Sequence, residues 1–155
     1  MSTVALVSYN GFVGGESNGW KEQGGNRVLL LQNSGGESWG AKQGPQSQSE
    51  LVEGANSVSR QIGGLWGVLV DALPELDMVY FYVGSTGAEK AIELAKRHRL
   101  DPGKATFVLC DCGYSGKMRL IEECGFSSSR VIMCACGGHS TMRRLYDDAL
   151  ATVSP

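Results

Sequence analysis

Apolar residues along this chain fall into two rhythms. Short, nearly unbroken runs occur at residues 3–8 (TVALVS), 27–32 (RVLLLQ), 78–83 (MVYFYV), 106–110 (TFVLC) and 131–135 (VIMCA). Runs of this length predict strands. Those in the second half are apolar on both faces, as central parallel strands are when helices cover both sides of a sheet. The second rhythm is helical. Leu51, Ala55, Val58, Ile62, Leu65, Leu69 and Leu73 recur at spacings of three and four. They predict a helix over 49–73 with one apolar face, stopped by Pro74. Gly63, Gly64 and Gly67 lower its intrinsic helicity and suit a close approach to another backbone. Shorter helices are predicted over 88–99, 118–124 and 142–151.

The segments between carry turn chemistry. Residues 11–25 hold six glycines and predict a loop or an irregular hairpin. Residues 33–49 are poor in apolar groups and rich in Gly, Gln and Ser, with Trp39 alone in the middle. Such a segment offers little apolar burial against the entropy of ordering and reads as a mobile loop. Asp101-Pro102-Gly103-Lys104 is a turn. Gly125 followed by Phe126 fits a helix C-cap with its hydrophobic contact.

A local pattern then recurs three times: strand, glycine-hydroxyl turn, helix. The turns are "GSTG" after the 78–83 strand, "DCGYSGK" after 106–110 and "CGGHST" after 131–135. The expected element order is β-β-α-β-α-β-α-β-α. This is a layered α/β domain with a mainly parallel sheet of about five strands and helices on both faces. Right-handed crossovers put all three turns at one edge, beyond the strand C-termini, where open α/β sheets bind ligands. The architecture resembles Rossmann-like and flavodoxin-like domains in general. No stretch matches a particular family, and function does not follow from architecture.

At 155 residues the chain suits a single domain over 1–155, and a chain this long buries about two-thirds of its unfolded surface. A net charge of -2 gives no basic field for a nucleic-acid backbone. No apolar run is long enough to span a bilayer. The N-terminal "MSTVALVSYNG" lacks a basic n-region and is broken by Ser8 and Asn10, so it does not read as a signal peptide. Five cysteines, an odd number without an export signal, fit reduced thiols in a cytoplasm.

Two functional readings compete at the shared edge. In the first, helix N-termini and glycine backbones receive a small anion bearing phosphate or carboxylate. Its residues are Gly84, Ser85, Thr86 and Gly87; Gly113, Ser115, Gly116 and Lys117; and Gly137, Gly138, Ser140 and Thr141. The sequence has no complete P-loop and no GxGxxG, and it specifies no cofactor. Ser and Thr in these turns also serve as ordinary N-caps. In the second reading the site is an enzyme's. Cys112 or Cys136 is the nucleophile at a helix start, with His139 as base or proton donor and Asp111 as a strand-end carboxylate. Cys110, Cys112, Cys134, Cys136 and His139 are the metal-ligand candidates, but a metal is not favoured. Alternate strand residues lie roughly 6.5–7 Å apart, too far for one tetrahedral ion. Buried structural thiols are the plainer reading, above all for Cys124. A third reading is a non-catalytic homo-oligomer using the glycine-rich helix face.

Overall fold

The computed structural model describes residues 2–8, 16–32, 65–83, 99–110, 114–134 and 138–151, with Ile92, Ala95 and Lys96 between them. The 33–49 segment, the 49–64 part of the expected long helix and the "GSTG" turn lie outside the described residues.

Among the described residues six strands form one sheet: β1 (Thr3–Ser8), β2 (Gly19–Gln23), β3 (Asn26–Gln32), β4 (Met78–Tyr82), β5 (Ala105–Cys110) and β6 (Arg130–Cys134), in the order β2-β3-β1-β4-β5-β6. β3, β1, β4, β5 and β6 run parallel, while β2 is antiparallel to β3 at the edge. The class is α/β, as the apolar runs predict. Without β2, the parallel strands follow the 2-1-3-4-5 order of flavodoxin-like doubly wound sheets.

β2 is the sixth strand, formed by part of the glycine-rich stretch. Gly24 and Gly25, at φ 58° and 86°, join it to β3. Two successive residues with positive φ are what a two-residue hairpin turn of matching twist requires.

Strand alternation divides the core. Ala5, Val7, Leu29, Leu31, Val79, Phe81, Phe107 and Leu109 face one side. There they meet Leu69 and Ala72 of α1 (Leu65–Ala72), helical Ile92 and Ala95, and Ile121 of α2 (Tyr114–Glu123). Phe107 stacks on Phe81 and meets Phe126 edge-on, both at 5.4 Å between ring centroids. Val4, Leu6, Val28, Leu30, Val108 and Cys134 face the other side, under Met142 and Tyr146 of α3 (Gly138–Leu150). α3 crosses that face and ends at the opposite edge. There Asn26 Nδ2 donates to the Ala151 carbonyl at 2.9 Å.

The turns follow their local chemistry. A 3-10 turn over Leu73–Glu75 accommodates Pro74 after α1. Asp101 accepts from the Gly103 N–H at 2.9 Å and caps a second 3-10 turn, Pro102–Lys104. After α2, Gly125 takes φ 87°, its N–H donates to Glu122 O, and the Phe126 N–H donates to Ile121 O. These two bonds define a Schellman cap, and both Ile121 and Phe126 are buried.

Candidate functional site

The C-terminal ends of all five parallel strands lie at one edge. The chain moves from β1 outward to β3, then back past β1 to β4, so the strand order reverses between β1 and β4. Crevices at such a reversal are where open α/β sheets take ligands.

Among the described residues two helices open at this edge, and both start earlier than the sequence predicts. α2 begins at Tyr114 rather than Met118, and α3 at Gly138 rather than Met142. Ser115, Gly116, Lys117, His139, Ser140 and Thr141 therefore belong to first helical turns and do not form loops ahead of them. The expected N-cap role of Ser140 and Thr141 is corrected accordingly. Tertiary packing explains the extension: Met142 and Tyr146 of α3, and Ile121 of α2, are buried against the sheet and draw weak helix formers into the helix.

The first four N–H groups of a helix have no intrahelical acceptor. Here, with α2 starting at Tyr114 and α3 at Gly138, these include the N–H groups of residues 114–116 and 138–140. Neither first turn contains an acidic residue. No carboxylate of either turn offsets the positive end of its helix.

Individual side chains divide by role. Ser140 is exposed and Lys117 half-buried. Thr141 turns back to the sheet, where its Oγ1 accepts from the Cys134 thiol at 3.2 Å. Cys134 is buried in the α3-side core and Cys124 in the other. Asp111, Cys112, Gly113, Cys136, Gly137 and Gly84 to Gly87 lie outside the described residues, as do the side chains of Cys110, Ser115 and His139. Among the described residues no group of three His, Cys, Asp or Glu is placed to hold a metal ion.

The edge also carries polar groups with little sequence signal. Ser8 and Gln32 end β1 and β3, pair in register, and are each about 1% exposed. Gln32 is held on three atoms. Its N–H donates to Asn18 Oδ1 at 2.8 Å, its carbonyl accepts from Asn18 Nδ2 at 2.6 Å, and its Nε2 donates to the Glu16 carbonyl at 3.1 Å. The chain before β2 thus reaches the C-terminal edge of the sheet. The available signal was a polar residue closing each apolar run, in "ALVS" and "LLLQ". Tyr146 meets this cluster from α3. Burial raises its phenol pKa most, and the nearby, hydrogen-bonded Glu16 carboxylate raises it further. Arg143 opposes the shift, while Asp147 adds to it.

No family model matches this chain, and no curated protein matches it. Among solved structures it is similar to the cytosolic domain of the FeoB iron transporter of T. maritima in a GDP form. The identity is 15%, the TM-score 0.39, and the match covers 99% of this chain and 65% of that one. A likeness at this level carries no argument about function. No helix among the described residues is long and apolar enough to cross a membrane.

Proposed function

We propose that this chain binds a small molecule carrying phosphate or carboxylate at the C-terminal edge of its sheet. The observation that supports it most is the opening of two acid-free helix N-termini, those of α2 and α3, on the same edge as the strand-order reversal between β1 and β4. Neighbouring strands are about 4.8 Å apart, so a ligand of nucleotide length reaches from that crevice to either helix. In this reading the backbone N–H groups of residues 114–116 and 138–140 receive the anion. Lys117 and the Ser140 hydroxyl add side-chain donors. Gly113 and Gly137 let the backbone approach closely, and Gly84-Ser85-Thr86-Gly87 follows β4, which flanks the reversal.

Thermal unfolding tests the proposal with inorganic phosphate, a dicarboxylate and nucleoside mono- and diphosphates as probes. A ligand bound only by the native state stabilises it by about 2.7 kcal/mol at a hundredfold excess over Kd. The expected result is a saturable rise in Tm with at least one probe, reduced in Lys117→Ala. Excluded anions strengthen burial without binding. A rise that never saturates and is matched by sulfate, or no rise with any probe, overturns the reading.

A further inference from the structure

We propose that Cys110 and Cys134 form a dithiol site at the C-terminal ends of β5 and β6, closed reversibly to a cross-strand disulfide by hydrogen peroxide.

The pair is set by register. β5 and β6 run parallel and adjacent, and Cys110 is the partner of Cys134. Neighbouring strands lie about 4.8 Å apart, within the roughly 4.4–6.8 Å between Cα atoms that a disulfide spans. Alternation along the two strands puts these register positions on one face of the sheet. Cys134 belongs with Val108 to the core beneath α3, and Cys110 follows Val108 by two residues. Each cysteine is also the last residue of its strand, and no ladder pair beyond them holds the two chains at strand spacing among the described residues. Cys124 belongs to the opposite core, against Phe126 and Ile121, and so has no part in this pair.

Burial selects the oxidant. Cys134 is 7% exposed, which suits a water-sized reagent better than a protein or a bulky disulfide. One sulfur attacks a peroxide oxygen and the O–O bond breaks. The sulfur becomes a sulfenic acid, and the departing hydroxide leaves as water with the thiol proton. The second sulfur then attacks the sulfenic sulfur and the S–O bond breaks. Its hydroxide leaves as water with the second proton. Two thiols and one peroxide give one disulfide and two waters. In the reduced state the Cys134 thiol donates to Thr141 Oγ1. Closure removes that donor and fastens the ends of β5 and β6 beneath α3.

The full chain, treated with limiting hydrogen peroxide, quenched with catalase and alkylated after unfolding, provides the test. Trypsin releases Cys110 with Cys112 in peptide 105–117, and Cys134 with Cys136 in peptide 131–143. The expected product is these two peptides joined, two hydrogens lighter than their sum. Fragment ions should put the alkyl groups on Cys112 and Cys136, and dithiothreitol should restore the separate peptides. C112S/C136S should keep the linkage and C110S should lose it. The mapping in the unaltered chain stands even where a variant fails to fold. A linkage through Cys112 or Cys136, one within a single peptide, or sulfinate at Cys134 with no linkage overturns the proposal.

Discussion

Arg99 holds a backbone angle that glycine usually supplies. Its φ is 57°, its N–H donates to Lys96 O, and the next N–H, of Leu100, donates to Ala95 O. This is the Schellman cap seen again at Gly125, with Arg in place of Gly. A side chain in the left-handed region costs about 1–2 kcal/mol, part of which glycine returns through its looser unfolded chain. Arg99→Gly should therefore raise stability by roughly 0.5–1 kcal/mol in urea denaturation. Gly125→Ala should lower it by about 1 kcal/mol or slightly more. A Cβ at Gly125 would meet no atom within 4 Å, so the cost is the backbone's alone. A less stable Arg99→Gly would contradict this account of the turn. Tyr146 makes the pH prediction. Its folded pKa is raised above the ordinary value of 10.0. The stability it contributes is therefore fully present below pH 10 and lost as pH rises through the folded value. Tyr146→Phe should flatten the alkaline fall in Tm, at a cost near neutrality of about 1 kcal/mol for the lost hydrogen bond. Glu16→Gln should flatten the fall in part. An unchanged alkaline slope in Tyr146→Phe would exclude the phenol as its source.

At the scale of elements, the hairpin and the helix starts show where local signals run out. β2 reads "GWKEQ" and lies on the open edge. Half of its positions need no apolar side chain, so it lacks the run that marked its neighbours. The legible signal was Gly24-Gly25, a two-residue turn between extended segments. Trp20 and Arg27 fasten the hairpin, the guanidinium lying 4.1 Å from the ring centroid. Exposed Glu22 and Glu75 pair with Arg27 at 2.9 and 3.4 Å, and pairs of this kind contribute little. The turn backbone matters more. Gly25→Ala should destabilise by about 1–2 kcal/mol, whereas Gly24→Asn should stay within about 0.5 kcal/mol, since Asn tolerates the left-handed region. Equal losses in both variants would point to crowding and not to backbone conformation. The helix starts differ for another reason. "GYSGK" and "GGHST" have low helical propensity, so the sequence favours later starts at Met118 and Met142. Packing of Ile121, Met142 and Tyr146 against the sheet carries both helices a turn further.

For the whole molecule, the parallel sheet was legible because burial on both faces leaves strands with no polar positions to blur the pattern. The shared edge was legible too, since successive strand-to-helix units in one sheet open the same way. Strand order was not, because it depends on which side of β1 each crossover takes, and nothing local records that choice. The polar cluster of Ser8, Asn18, Gln32 and Glu16 was hidden for the same reason: it assembles only once β3 lies beside β1. The proposed anion site belongs to the edge where α2 and α3 begin. The hairpin tip at Gly24-Gly25, beside the Arg27 guanidinium, lies at the opposite edge and serves as an internal control. Amide chemical-shift mapping of the labelled full chain, titrated with inorganic phosphate and then a nucleoside diphosphate, tests the claim most directly. Saturable shifts gathered at residues 114–116 and 138–140 are the predicted result; shifts centred on residues 22–27, or none that saturate, would contradict it.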